Sequence, residues 1–174
     1  MPAKGKQQKD EQLLEQHISA NRLEYPKTFL VLVALIASFQ PVFYSHAIND
    51  MSWTVPTNAL LFVAVSLGTT YMLRQAYEVM VESEFWSRQP HFTEVSDRDE
   101  IELRRLRLQV AMGYTLFLLN SVFFILCSVF MAYIFRRADP RASYILSPLM
   151  TASILWFVAM KNEESRQRRM RLHK

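Results

Sequence analysis

Apolar and charged positions are segregated in blocks along the chain. Four stretches, residues 28–48, 55–73, 110–135 and 144–160, contain no Asp, Glu, Lys or Arg. A bilayer core of roughly 30 Å takes about 20 predominantly apolar residues in a helix, which these stretches meet or nearly meet. A soluble core helix would carry a polar face at the 3.6-residue period, and none of the four does. The pattern predicts an all-α integral membrane protein with four transmembrane helices.

The most charged stretch lies between the second and third apolar blocks. Residues 74–109 hold six Arg and eight Asp or Glu, a density that no lipid core accepts. Flanking it in sequence are an N-terminal arm, 1–27, with five Lys or Arg, and a tail, 161–174, with six. Placing these three on one side of the membrane collects 17 of the 20 basic residues there. The remaining three, Arg136, Arg137 and Arg141, fall in the turn between the third and fourth helices. By the positive-inside rule both termini and the central stretch are expected in the cytosol.

The central stretch has its own periodicity. Tyr77, Met80, Val81 and Phe85 continue the apolar period of the second helix, until Pro90 breaks it. Ser96 with Asp99 three residues on forms a capping-box-like start. Ile101, Leu103 and Leu106 then lead into the third helix at Val110, and Glu100 precedes Arg104 by four positions in the favourable order. The expectation is a short cytosolic helical hairpin that extends helices 2 and 3.

Smaller features refine each segment. Within the N-terminal arm, Leu13, Leu14, His17, Ile18 and Leu23 among polar neighbours read either as a short amphipathic helix at the headgroups or as an unstructured tail. Pro41 predicts a kink in the first helix, and Gln40 needs a partner across a helix interface. The loop 49–54 makes helices 1 and 2 a hairpin, with Trp53 at the interface and Pro56 in the first turn of helix 2. Ala64 and Gly68, four apart, with Ser66 and Thr70 offset by two, read as a helix-packing surface. Asn120 is the strongly polar residue of helix 3 and is expected to face another helix. Pro148 is expected to interrupt a short fourth helix.

Composition changes this picture little. Mean hydropathy is near zero only because the blocks average out. The single cysteine, Cys127, excludes an intrachain disulfide and reads as a small packing residue. The first 27 residues lack a cleavable signal pattern, so helix 1 is expected to act as the targeting signal. No Asn-x-Ser/Thr sequon occurs.

Catalytic chemistry finds no purchase. His17, His46, His91 and His173 are scattered, without acidic or cysteine partners at ligand spacing. No P-loop, C-x-x-C, H-x-x-x-H or G-x-S-x-G pattern occurs, and three glycines cannot build a phosphate loop. The chain reads as a non-enzyme without cofactor or metal. What remains is basic surface. Arg166, Arg168, Arg169, Arg171 and Lys174 in the tail, with Arg88, Arg104 and Arg105 of the central stretch, are candidates to contact RNA phosphate or anionic membrane lipids.

Several short matches fall in a family's order. They are Pro2-Ala3-Lys4-Gly5 with Gln7-Gln8, Leu13-Leu14, Gln16, Ser19 and Asn21; Thr70-Tyr71 before Ala76-Tyr77; Tyr114-Thr115-Leu116-Phe117; and Asp139-Pro140 leading to Tyr144-Ile145-Leu146-Ser147. In these the chain resembles the gamma-subunit family of the translocon-associated protein complex (signal sequence receptor gamma). The resemblance implies an endoplasmic reticulum membrane protein in complex with alpha, beta and delta subunits or a subset. It implies a place beside the Sec-type protein-conducting channel, with a cytosolic part touching the translating ribosome in co-translational translocation. The chain departs from the family in its central stretch, which is shorter and net negative where the family's is strongly basic. Contact there is then expected with a basic ribosomal protein, or RNA contact passes to the basic tail. A small multi-span transporter or channel subunit, with a polar path around Gln40 and Asn120, is the alternative.

Overall fold

The computed structural model describes residues 25–88 and 97–172, and among these every regular element is helical. α1 (Lys27–Ser38) and α2 (Gln40–Ile48) together form the first long helix. α3 (Pro56–Ser87), α4 (Asp97–Val129) and α5 (Pro140–Leu172) are the other three. All four are long and apolar enough to cross a membrane. The arm before residue 25, the capping pair's Ser96, His173 and Lys174 lie outside the described residues.

The break between α1 and α2 falls at Phe39, two residues before Pro41. Phe39 N–H donates to Ile36 O at 3.2 Å, a tightened turn, before the α-pattern resumes with Phe43 N–H on Phe39 O at 3.1 Å. Pro41 has no N–H to continue the ladder, which accounts for the break. Pro148 behaves otherwise. It is fully buried inside α5, and the helix runs through it without interruption. The fourth helix is therefore neither short nor divided: burial in the bundle holds one missing hydrogen bond inside an otherwise intact helix. α4 ends in one π-helical turn, Phe130–Ile134, closed by Phe135 N–H on Phe130 O at 2.8 Å.

The bundle is built on α3 and α5, which are not consecutive in the chain. They run in the same direction with an almost constant offset of about 80 positions. Tyr144 packs edge-on against Phe62, with ring centroids 5.0 Å apart, and its hydroxyl donates to Phe62 O at 3.3 Å. Further along, Ser153 Oγ meets Met72 Sδ at 3.4 Å, and Asn162 Nδ2 donates to Ser83 Oγ at 3.1 Å. From Phe62 to Ser83 this seam covers about 30 Å. α1 joins it antiparallel, where Thr70 Oγ1 donates to Ser38 Oγ at 3.2 Å. α4 packs mainly on the α3 half nearest Ser87, and its span is the least buried of the four.

Apolar side chains fill the core and also cover the outside, unlike those of a soluble bundle. Ser38, Ser66, Thr69, Thr115, Ser147 and Thr151 are buried along the seams. Leu60, Phe117 and Tyr133 are each more than 70% exposed. Small hydroxyl-bearing residues let helices approach closely, and the large apolar side chains cover the outside.

Candidate functional site

The two ends of the bundle differ in charge. One, the turn end, holds the 49–55 loop and the 135–139 turn. The other, the terminal end, gathers Tyr25, the last turns of α3, the first turns of α4 and the last turns of α5. Every basic candidate among the described residues lies at this terminal end.

At its centre the α3–α5 seam continues past the apolar stretches. Asn162 of α5 bridges to Ser83, and Val81 and Phe85 of α3 are buried close by. The Arg107 guanidinium lies over the Phe85 ring at 5.4 Å, so α4 is tied to α3 there by a cation–π contact. Around this centre stand three carboxylates, Glu78, Glu82 and Glu163. Partial burial pushes the Glu82 carboxyl above its ordinary range, and the charges of Glu163 and Glu78 push it further, while Lys27 and Arg166 oppose them. Glu163 is held below the ordinary range, chiefly by hydrogen bonds from Arg166 and also by Gln167.

The candidate arginines are not equally available. Arg88 is half-buried, pairs with Glu84 at 3.3 Å and lies over the Tyr114 ring at 5.1 Å. Arg166 is half-buried and pairs with Glu163 through two nitrogens, Nε at 2.8 Å among them. Arg104 is exposed and engaged by a neighbour, and Arg105 is exposed beside it. Arg168 is exposed and pairs with Glu164 at 2.5 Å, and Arg169 next to it is exposed and makes no ion pair with a described residue. Arg171 lies on the last turn of α5, and Lys174 falls outside the described residues. The structure thus brings Arg168 and Arg169 to one helix end, and places Arg104 and Arg105 on a separate helix.

An exposed ion pair contributes roughly 0–1 kcal/mol, so Arg168 can leave Glu164 for an external anion at little cost. Arg88 and Arg166, held in partly buried pairs, cannot leave as cheaply. Sequence reading did not single out Lys161, which is exposed, pairs with Glu164 at 2.8 Å and lies over Phe157 at 5.8 Å. Its position immediately after the fourth apolar stretch was the available signal. The i,i+3 and i,i+4 pairing of Glu163 and Glu164 with Arg166 and Arg168 was also written in the spacing.

The packing candidates separate. Asn120 Oδ1 accepts from the Tyr77 hydroxyl at 2.6 Å, and its Nδ2 donates to Leu116 O at 2.8 Å. Gly68 faces α5, where a methyl group added to it would meet Leu149 Cδ2 at 3.4 Å. Ala64 is exposed, away from that contact. The buried pair at the same spacing is Ser66 and Thr70, because the buried face of α3 is centred about half a turn round the helix from Ala64, with Gly68 at its edge. Gln40 Nε2 donates to Ser128 Oγ of α4 at 3.1 Å.

No family model matches the chain, and no curated protein matches it.

At the turn end, His46 stacks on Trp53 with ring centroids 4.5 Å apart, and its Nδ1 lies 3.2 Å from Met51 O. Among the described residues no group of three His, Cys, Asp or Glu is placed to hold a metal ion.

Proposed function

We propose that this chain is a non-catalytic four-span subunit of an endoplasmic reticulum complex associated with the protein-conducting channel. Its terminal end faces the cytosol and meets the ribosome, and alpha, beta and delta subunits or a subset are its neighbours in the membrane. The observation that carries the reading is the unbroken continuation of α3 and α5, as one packed seam, from the apolar stretches into the charged end. Such a seam is a stiff support, not a loose loop. Along α5, Arg169 stands about 13 Å beyond Met160 by the helical rise. The headgroup layer is roughly 5–8 Å deep, so the basic end clears it and is offered to a large anionic partner. The apolar exterior and the distribution of basic residues between the two ends support the membrane and the orientation. The resemblance to the gamma-subunit family supports the partner.

The central stretch is net negative, and its Arg88 is engaged, so RNA phosphate is assigned to the α5 end. Transport is the weaker reading, since the amide nitrogens of Gln40 and Asn120 are both taken up by hydrogen bonds inside the bundle. The test is co-sedimentation of the detergent-solubilised complex with ribosomes and the channel. Arg168→Gln, Arg169→Gln and Arg171→Gln together should weaken it. Recovery of the chain with neither the ribosome nor the channel overturns the proposal, and liposome flux abolished by Asn120→Leu would install the transport reading instead.

A further inference from the structure

Between the first long helix (α1 and α2) and α3, a groove of about 310 Å3 opens on the outside of the bundle. Leu35, Phe39 and Phe43 form one wall, and Ala59, Val63 and Leu67 the other, with Trp53 at its turn-end mouth. Its single hydroxyl-bearing residue, Ser66, is buried and directed to Tyr144 Oη at 3.5 Å. Phe43, Val63 and Leu67 are each about 60% exposed, so the groove is open along its length.

We infer that this groove is a binding site for one phospholipid acyl chain from the leaflet at the turn end. Three properties select that occupant. The groove lies within the apolar stretches, so whatever fills it comes from the hydrocarbon or from a protein embedded in it. From Ala59 to Leu67 it runs about 12 Å along α3, close to the roughly 15 Å of a single hydrocarbon leaflet. It runs about 12 Å, less than half of the roughly 30 Å core, whereas a partner's transmembrane helix, about 10 Å across, needs a seam through both leaflets. Trp53, half exposed and stacked on His46, stands at the mouth where a headgroup would lie. The 49–55 loop holds Asp50 and neither Lys nor Arg, so the site takes zwitterionic phospholipid as readily as anionic phospholipid.

The break between α1 and α2 at Phe39 lies within one wall of the groove. The inference rests on the membrane reading and is independent of any ribosome contact.

The test uses the full chain in nanodiscs of phosphatidylcholine carrying a trace of the same lipid with a mid-chain diazirine. Photolabelling should concentrate several-fold on Phe39, Phe43, Val63 and Leu67 relative to the more exposed Phe117 and Ile125 of α4. Val63→Trp, and separately Ala59→Phe, should remove that excess and leave α4 labelling and helicity unchanged. Replacing phosphatidylcholine with phosphatidylserine should leave the excess intact. Even labelling of the groove and α4 overturns the inference. So does a protein cross-link from Val63→Cys in native membranes in place of lipid label, which assigns the groove to a partner's side chain.

Discussion

The hydrogen bond between Tyr77 and Asn120 gives the sharpest test of how the bundle is held. Tyr77 is fully buried, and its hydroxyl donates to Asn120 Oδ1 at 2.6 Å across the α3–α4 contact. Asn120 is in turn anchored to Leu116 O, so the acceptor is fixed before the hydroxyl arrives. Tyr77→Phe deletes the donor and leaves one amide oxygen short of a partner. Asn120→Leu deletes the acceptor and strands a buried hydroxyl, which costs about 1–3 kcal/mol. The double variant leaves no polar atom stranded, so it should be less destabilised than the two single losses added together. Interhelical hydrogen bonds in a membrane protein average about 0.6 kcal/mol and reach about 1.7 kcal/mol. The short distance and the pre-anchored amide place this one in the upper half of that range, at about 1 kcal/mol. The assay is a double-mutant cycle on unfolding in bicelles, followed by tryptophan fluorescence from Trp86 and Trp156. Strict additivity, with coupling below about 0.2 kcal/mol, would refute the argument that these side chains serve packing.

Other consequences follow from the same geometry. Gly68→Ala should be neutral or stabilise by up to about 1 kcal/mol, because its methyl group fits against Leu149 at 3.4 Å. Gly68→Ile should destabilise by about 1–3 kcal/mol through overpacking, and thermal unfolding in detergent separates the two. Glu82 has a raised folded-state pKa, so its contribution to stability is complete below its unfolded value and is lost as pH rises through the folded one. Glu82→Gln should therefore stabilise the fold at neutral pH, by under about 1 kcal/mol at such a partly exposed site, seen as a raised melting temperature. That gain should vanish at about pH 4, where an unfolded glutamate takes up its proton. Removing Arg168, Arg169 and Arg171 should flatten the salt dependence of ribosome binding by about one unit of slope for each phosphate no longer neutralised, read from co-sedimentation at graded potassium concentrations.

Much of the architecture was legible because the membrane-length stretches are written as blocks. The kink came from one residue, Pro41, and the extension of α3 to Ser87 from the period of Tyr77, Val81 and Phe85. The fate of Pro148 was not legible, since a proline's effect depends on what packs around it, and this one is fully buried in the bundle. The reach of α5 to Leu172 was missed because a charged tail has no apolar period. Yet its Glu163–Arg166 and Glu164–Arg168 spacings are helical and no glycine or proline stops it. The pairing of α3 with α5 could not be read, because consecutive helices carry the short-loop signal and this contact spans about 80 positions. That Ser66 and Thr70 are buried while Ala64 is exposed could not be read either. Spacing identifies a face, and only the neighbour shows which face is used. At the charged end the arginines were visible from the start, but which of them are held in buried pairs depends on Glu84, Tyr114 and Glu163 in three dimensions.

The most direct measurement is site-specific photocross-linking in microsomes engaged in translation. Photoreactive residues placed at Arg105 and Arg169 sample the terminal end, and residues at Asp50 and Trp53 sample the turn end. The account predicts ribosomal RNA adducts from Arg169, ribosomal protein adducts from Arg105, and no ribosomal adduct from the turn end. Ribosomal adducts from Asp50 or Trp53, or none from either arginine position while translation proceeds, would contradict it.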